Sequence, residues 1–325
     1  KRQISEKGRN TMKLSLVVPC YNEEKNIPLF YNAVRQDFAG SGVDYELVFV
    51  NDGSSDGTFK ELQKLCSGDV PMKIVNFSRN FGKESAMYAG LRESEGDYVT
   101  IIDADLQQRP SIALDMVRTL ENEPDYDCVA AYQEQRNENK LLVFFKNSFY
   151  KLINKFSDTE FVQGASDFRT FRRPMVEAIL RMDEYFRFSK GLFSWVGFNT
   201  KFIPYNADER AEGESKWSFR KLFRYALEGI FAFTTAPLRI ATVVGMLVSL
   251  FSLIYLIVVI VQKLCFGISV EGYATIVVLI LLLGGIQLCC LGIIGEYIAR
   301  TYIQTKGRPI YIAKDVIKND RYGKK

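Results

Sequence analysis

The sequence contains no histidine among its 325 residues. Because imidazole is the side chain used most often as a general base, every mechanism that requires it is excluded. The six cysteines show no pair spaced for zinc, and most of them fall in segments predicted to lie in the cytoplasm or the membrane, so we expect reduced thiols. The net charge of +4 is spread over both signs, which gives no indication of nucleic acid binding.

Charged residues are also missing from two long runs, residues 240–262 and 272–295. Each run exceeds the roughly 20 apolar residues that a helix needs to cross a bilayer. A buried core helix can also be apolar throughout, but two such runs in succession favour membrane helices. We therefore expect a large soluble domain followed by two membrane spans.

The distribution of charge predicts how the spans are oriented. The opening stretch KRQISEKGRNTMK lacks the apolar segment of a secretory signal, so we expect the N-terminus to be cytoplasmic. Basic residues flank the two runs on their outer sides, among them Arg220, Lys221, Arg224, Arg239, Arg300, Lys306, Arg308 and Lys314. The stretch KLCFGISVE between the runs holds only one basic residue. The positive-inside rule then places both termini and the soluble domain on the cytoplasmic side of the cell membrane.

Before residue 239 the sequence alternates between strand-like and helix-like segments. The apolar runs LSLVVPCYN, YELVFVNDGSSDGT, MKIVNFS and DYVTIIDADL are separated by stretches of helical spacing, the first of which, NEEKNIPLFYNAV, opens with a capping residue. This alternation predicts an α/β fold, a mostly parallel Rossmann-like sheet with helices on both faces. Ligands of such sheets bind at the carboxyl ends of the strands.

Acidic side chains follow three of the predicted strands at these carboxyl ends. They are Glu23 after the first strand, Asp52 after the second, and Asp103 and Asp105 after the fourth. Side chains at i and i+2 of an extended segment share a face, so the last two can address one ligand. A D-x-D sequence alone fits a solvated turn equally well, but its position after a buried strand favours a Mg²⁺ or Mn²⁺ site.

Seven ordered motifs resemble those of the family 2 inverting glycosyltransferases with the GT-A fold. They are LSLVVPCYNEEKNI, YELVFVNDGSSDGT, SRNFGKESAMYAGL, DYVTIIDADLQ, GASDFRTFRR, RFSKGLF and DERAEGESKWSFRKL. The two C-terminal spans and GIIGEYIARTY are similar to the polyprenyl-phosphate branch, which includes bactoprenol glucosyltransferases, N-acetylglucosaminyl enzymes and, more distantly, dolichol-phosphate mannose synthase. The resemblance extends from Lys13 to about Ala313.

The resemblance implies transfer of glucose or N-acetylglucosamine from a UDP-sugar to a polyprenyl (undecaprenyl) phosphate, with inversion and with Mg²⁺ or Mn²⁺ as cofactor. It also implies a homo-oligomer, a tetramer in the family, in the bilayer. A mannose-type synthase using GDP-mannose and a non-catalytic membrane scaffold are the alternatives. A processive synthase would carry QxxRW and more spans, and a transporter would not need a nucleotide-sugar domain.

The resemblance also implies three groups of site residues. The donor nucleotide would be bound by Pro19, Tyr21, Glu23, Asp52 and Asp103, with Arg210 and Lys216 closing over the diphosphate. Asp103 and Asp105 would hold the metal ion. The acceptor phosphate would be bound by Arg136, Arg169 and Arg173.

Catalysis is expected to depend on Asp105, Asp167 and Arg169. A strong base is not needed, because a phosphate monoester has a second pKa of about 6 and is largely deprotonated at neutral pH. Asp167, in the DFR sequence, would then orient the sugar or the cationic partners of the acceptor.

The predicted organisation has seven parts. These are an N-terminal extension (1–12), the GT-A domain (13–215), an amphipathic segment (216–237), the spans (238–262 and 274–298), an extracytoplasmic loop between them (263–273) and a cytoplasmic tail (299–325). The amphipathic segment fits either a helix at the membrane surface or a helix packed on the soluble domain.

Overall fold

A computed structural model describes residues 12–133, 154, 165–205, 229–266 and 272–319. The predictions for Arg136, Arg210 and Lys216 lie outside the described residues, as do those for residues 1–11, for 216–228 of the amphipathic segment and for 267–271 of the loop between the spans.

The centre of the fold is a set of four parallel strands. They are β1 (Lys13–Cys20), β2 (Asp44–Asn51), β3 (Met72–Phe77) and β4 (Tyr98–Ile101), in the spatial order β4-β1-β2-β3. β3 and β4 are buried along their whole length, as strands covered by helices on both faces must be. Their carboxyl ends therefore meet at one edge, as the sequence predicted.

Further strands extend this sheet on both sides. β5 (Cys128–Gln133), β6 (Ala165–Arg172) and β7 (Thr200–Tyr205) complete one side, and β6 runs antiparallel to β4 and β5. On the other side β8 (Ala313–Lys318) pairs antiparallel with β3. The full order is β7-β5-β6-β4-β1-β2-β3-β8, a mixed and mostly parallel sheet that confirms the predicted fold class.

Helices cover both faces. One face packs against α1 (Asn26–Phe38), α2 (Thr58–Leu65) and α4 (Pro110–Asn122). The opposite face packs against α3 (Lys83–Glu93), α5 (Arg173–Leu180) and α6 (Ser189–Trp195). Helix α3 approaches β1 so closely that a Cβ at Gly90 would lie 2.1 Å from a methyl group of Val17, which only glycine tolerates. The N-terminus of α3 lies at the carboxyl edge of the sheet, where the residues before it bond to Asp52.

Two long apolar helices follow, α7 (Ala236–Phe266) and α8 (Tyr273–Thr305). Their candidate spans, Ala236–Gln262 and Thr275–Thr305, have a mean hydropathy of 2.8 and are 0% buried within the protein. A soluble protein would bury such surfaces in its core, so these helices have the length and exposure of membrane spans. Helix α8 extends beyond the predicted limit of residue 298.

The segment after the spans is more than a tail, which corrects the prediction for residues 299–325. β8 belongs to the same sheet as β1–β4, and Asn319 donates from its Nδ2 to the carbonyl of Val70 at 2.7 Å. Tyr311 stacks on Phe77 with the ring centroids 4.8 Å apart. The chain therefore returns from its second apolar helix to the edge of the α/β sheet.

Candidate active site

The loops that follow β1 and β2 are joined at the carboxyl edge of the sheet. Asn22, in the left-handed region with φ 56°, accepts from the backbone N–H of Ser55 at 2.9 Å and donates from its own N–H to Ser54 Oγ at 3.0 Å. The expectation that the stretch beginning at Asn22 opens with a helix cap was wrong. Helix α1 begins only at Asn26 and has no side-chain cap. Asn22 instead orders the rim of the predicted donor site.

Asp52 holds the loop that precedes α3. Its Oδ1 accepts from the N–H of Phe81 at 2.6 Å, and its Oδ2 accepts from the N–H of Gly82 at 3.0 Å. Burial raises the pKa of Asp52, and these two backbone bonds act in the opposite direction. The neighbouring Gly53 has a φ of +62°, and a Cβ there would lie 2.3 Å from the carbonyl carbon of Arg79. The close fit between these two loops therefore depends on a glycine.

The other predicted donor residues lie on the same edge with different exposures. Pro19 lies in β1 opposite Val50, and the Tyr21 side chain is exposed immediately after the strand. Glu23 accepts from Asn26 Nδ2 at 2.6 Å, and its backbone N–H donates to Thr58 Oγ1 at 2.8 Å. An exposed aromatic ring beside partly buried carboxylates is a surface on which a base can stack and form hydrogen bonds.

Asp103 and Asp105 follow β4 but do not share a strand face. The strand ends at Ile101, and Asp105 lies in a turn that Leu106 completes with a φ of 57°. Asp105 Oδ1 accepts from the N–H of Gln107 at 3.2 Å. The two carboxylates are thus presented by a turn, so the argument from strand alternation was wrong although both lie beyond the same strand end.

Among the described residues, Lys83 forms ion pairs with both Asp103 and Asp167. Its Nζ lies 2.7 Å from Asp103 Oδ1 and 3.3 Å from Asp167 Oδ2, so one ammonium group joins the turn after β4 to β6. The two carboxylates raise the pKa of Lys83 against the effect of desolvation. Lys83, Lys190 and Arg169 together lower the pKa of Asp167 to about 2, although burial alone would raise it. Asp167 is therefore ionised at every physiological pH.

The two arginines predicted from β6 and its C-terminal end have separate environments. Arg169 is only 3% exposed, donates from Nε to the carbonyl of Ser166 at 3.1 Å, and lies 4.9 Å from the ring centre of Phe193. Its charge acts on Asp167 from within the protein.

Arg173 does not join the site. It follows β6 at the opposite edge, where its Nε donates to the carbonyl of Gly96 at 2.8 Å and its Nη1 to Ser94 Oγ at 3.2 Å. Because β6 runs antiparallel to β4, residues late in β6 lie near the beginning of β4 and away from Asp103. The structure therefore places Arg173 away from Asp103 and Asp167, and its assignment to the acceptor phosphate stays a prediction that this position does not favour.

The predicted Mg²⁺ or Mn²⁺ ion fits the groups present. Asp103 and Asp105 supply hard carboxylate oxygens at a partly exposed turn, and among the described residues no group of three or more acidic, cysteine or histidine side chains is placed to hold a metal ion by itself. Mg²⁺ characteristically binds through one or two carboxylates and takes its remaining ligands from water and substrate phosphates. These two side chains therefore suit an ion that binds together with a diphosphate.

Two cations of the site were missed by reasoning from sequence alone. Lys83 lies in the SRNFGKESAMYAGL motif and Lys190 in RFSKGLF, and both motifs carried the resemblance to the family without a role being given to either lysine. The available signal was the need of Asp103 and Asp167 for a cationic partner.

Comparison with known proteins identifies the class that this arrangement belongs to. The family described as Glycosyl transferase family 2 matches residues 15–180, and the one described as GtrB C-terminal hairpin matches residues 236–301. The α/β domain with its acidic edge is thus a glycosyltransferase domain, and α7 and α8 form the hairpin.

Curated relatives match nearly the whole chain. A protein of Escherichia coli (strain K12) named prophage bactoprenol glucosyl transferase homolog is 41% identical over 94% of this chain and 100% of its own length. A putative glycosyltransferase, CsbB, of Bacillus subtilis (strain 168) is 41% identical over 93% of this chain and 91% of its own. The chain belongs to glycosyl transferase family 2, which confirms the family and the branch that the motifs indicated.

Among solved structures, mannosyl-3-phosphoglycerate synthase from Rubrobacter xylanophilus is similar to the chain. The alignment has 17% identity and a TM-score of 0.48, and it covers 67% of this chain and 72% of the other.

Proposed function

We propose that this glycosyltransferase moves a hexose, glucose or N-acetylglucosamine, from a UDP-sugar to polyprenyl (undecaprenyl) phosphate with inversion at the anomeric carbon. The observation that carries the proposal is the ion-paired group of Lys83, Asp103 and Asp167, with Asp105 in the turn beside Asp103, at the carboxyl edge of a sheet whose chain also forms two helices able to cross a membrane. A lipid phosphate is an acceptor that such a hairpin would bring to a catalytic domain, and relatives that are 41% identical over 94% of this chain are named bactoprenol glucosyl transferase or a homolog of it.

The donor would bind along the edge formed by the loops after β1, β2 and β4. Tyr21 offers an exposed ring for the base, and Glu23 offers carboxylate oxygen atoms for N–H and hydroxyl groups. Asp52 supports this surface indirectly, since its carboxylate holds the backbone of Phe81 and Gly82. Asp103 and Asp105 would hold the divalent ion, which supplies charge neutralisation for the diphosphate when bound.

The reaction itself needs few groups from the protein. An oxygen of the lipid phosphate attacks C1 of the sugar and forms the new C1–O bond, while the bond from C1 to the diphosphate breaks and UDP leaves with its electron pair. The attacking oxygen is already deprotonated, since its pKa is about 6. Asp167, ionised and surrounded by Lys83, Lys190 and Arg169, is suited to orient these cations and the sugar and needs to accept no proton.

The acceptor phosphate would meet cations at the side of the site formed by β6 and α6. Arg169 is buried, whereas Lys190 is only partly buried, and the charge of each lowers the pKa of Asp167. We assign the closer contact to Lys190. This revises the expectation that Arg169 itself binds the acceptor phosphate.

The orientation in the membrane is supported by β8. Since β8 follows the second apolar helix and pairs with β3, the α/β domain and the segment after the hairpin lie on one side of any membrane that the hairpin crosses. With the basic residues flanking the hairpin, this supports a cytoplasmic catalytic domain.

The decisive experiment measures transfer of radiolabelled sugar into an organic-soluble lipid. The purified full chain is incubated with undecaprenyl phosphate, Mg²⁺ or Mn²⁺, and in turn UDP-glucose, UDP-N-acetylglucosamine and GDP-mannose. We expect product with one of the UDP-sugars. Product from GDP-mannose alone would establish the mannose-type alternative, and no product with any donor would contradict the proposal.

A further inference from the structure

Glu84 is a carboxylate beside the candidate active site to which the proposed reaction gives no role. It is the second residue of α3, directly after Lys83, and its Oε2 accepts from the backbone N–H of Ser189 at 2.9 Å and also from the Ser189 hydroxyl. Ser189 is 3% exposed and is the first residue of α6. One carboxylate thus joins α3 to α6 through two residues, Glu84 and Ser189, that are 105 positions apart in the chain.

The segment held by Glu84 carries cations toward the site. Lys190 follows Ser189 directly, and its charge lowers the pKa of Asp167. Arg187 lies two residues before Ser189. Arg187 is 9% exposed, and its guanidinium lies 4.4 Å from the ring centre of Tyr88 and donates from Nη1 to the carbonyl of Met182, yet its Nε is buried with no hydrogen-bond partner among the described residues. Buried polar groups are nearly always hydrogen-bonded, and an unpaired donor calls for a partner such as a water molecule or an ion.

The same segment is joined to the membrane hairpin at its other end. Gln304 of α8 accepts from the N–H of Tyr185 at 2.8 Å and donates to the carbonyl of Asp183 at 3.4 Å. The guanidinium of Arg300, also in α8, lies 4.9 Å from the ring centre of Phe186. Residues 183–190 therefore run from the end of the membrane helix to the N-terminus of α3.

Position along this path explains why a carboxylate is useful at residue 84. The N-terminus of α3 is fixed by Lys83, which contacts Asp103 and Asp167, and by the loop that Asp52 holds. Through its two hydrogen bonds, Glu84 holds Ser189 and the residues beside it against this fixed N-terminus of α3. The bond works in either protonation state, because a carboxylic acid can accept from the N–H and donate to the hydroxyl.

We propose that Glu84 is a positioning residue for the acceptor: through Ser189 it fixes the segment that presents Arg187 and Lys190 to the lipid phosphate. The proposal rests on the proposed function, since it concerns the acceptor side of the same site. It assigns Glu84 no contact with the sugar, the diphosphate or the reacting atoms.

The test separates acceptor binding from chemistry in the full chain reconstituted in lipid nanodiscs. Glu84→Ala removes both bonds to Ser189, and we expect it to raise the KM for undecaprenyl phosphate by at least about tenfold. The affinity for the UDP-sugar is expected to stay unchanged, and kcat to change by no more than about threefold. Glu84→Gln keeps an oxygen that accepts and an amide that donates, so it should stay close to the wild-type KM.

Glu93→Ala is the matched control. Glu93 ends the same helix and pairs with Lys73 at 3.1 Å, so its loss also removes a partly buried ionic contact of α3, but at the far edge of the sheet. We expect no change in the KM for the lipid. An unchanged KM in Glu84→Ala, an equal rise in Glu84→Gln, or a loss of kcat at constant KM would overturn the positioning role.

Hydrogen exchange distinguishes this proposal from the proposed function. The amides of residues 187–190 should exchange faster in Glu84→Ala than in wild type or Glu93→Ala, whether or not the wild type transfers sugar to undecaprenyl phosphate. Absent transfer by the wild type refutes the function alone. Unchanged exchange in Glu84→Ala refutes the positioning role alone.

Discussion

Replacing Lys83 with alanine tests whether the ammonium group between Asp103 and Asp167 takes part in transfer. The Nζ lies 2.7 Å from one carboxylate and 3.3 Å from the other. Without it, two negative charges face the region where the diphosphate and the acceptor phosphate, both anionic, have to meet. The change should therefore impair catalysis far more than folding.

The expected loss of stability is small because the ion pair is exposed to solvent, whereas the expected loss of activity is large. The side chains of Lys83 and Asp103 are 44% and 33% exposed, so the ion pair is screened and its loss should lower the free energy of unfolding by about 0–1 kcal/mol. For a domain of this size that is a decrease in Tm of about 2–4 °C at most. Removing one group that stabilises developing charge in a transition state typically lowers kcat by about 100- to 1,000-fold. We expect Lys83→Ala to fall in that range.

The assay is transfer of labelled sugar to undecaprenyl phosphate, with Tm measured on the same samples. Lys83→Arg retains the charge with a different geometry and should be intermediate. Lys64→Ala is the control, since Lys64 also forms an exposed ion pair, with Glu61 at 2.5 Å, at the far end of α2. The reasoning is refuted if Lys83→Ala transfers sugar as fast as Lys64→Ala, or if its loss of activity follows unfolding.

Three further changes test the metal, the topology and the electrostatics. Asp105→Asn should abolish transfer and weaken Mn²⁺ binding measured by electron paramagnetic resonance with the Tm retained; full activity, or full wild-type activity in excess chelator, would contradict the metal site. In a cysteine-free background on intact cells, an impermeant thiol reagent should label a cysteine placed at Ser269 and spare one at Ser215; the opposite pattern would invert the topology. Burial and Asp167 raise the pKa of Glu84 to about 7, so ionising it is less favourable in the folded than in the unfolded chain, and stability should fall as the pH rises from its ordinary pKa range to about 7. Glu84→Gln should flatten this decline in Tm between pH 5 and pH 8, and an unchanged slope would show that Glu84 titrates normally.

The sequence determined the order of the strands along the chain and where their polar ends lie. Runs such as LSLVVPC and YELVFVN are apolar and β-branched because both faces of a central strand are covered, and this pattern is local enough to read directly. The two charge-free runs could also be recognised locally, because a helix that crosses a bilayer forms all its backbone hydrogen bonds within its own segment and must be apolar along its length. The carboxylates at residues 52, 103 and 105 followed from these strand ends.

Tertiary structure alone decided which of these groups meet. Glu84 and Ser189, or Lys83 and Asp167, are far apart in the chain, and only the packing of α3 on β1 and β2 brings its first residues to β6 and α6. For Arg173 the tertiary structure separates groups instead. Because β6 runs antiparallel to β4, its C-terminal end lies beside the beginning of β4, at the edge opposite to Asp103.

The return of β8 to the sheet was also decided by tertiary structure. Its sequence, AKDVIK, is short and half polar, and nothing local to it specifies the edge of β3 as its partner. Pairing between strands of high separation depends on the register and exposure of both edges, which appear only once the sheet has formed.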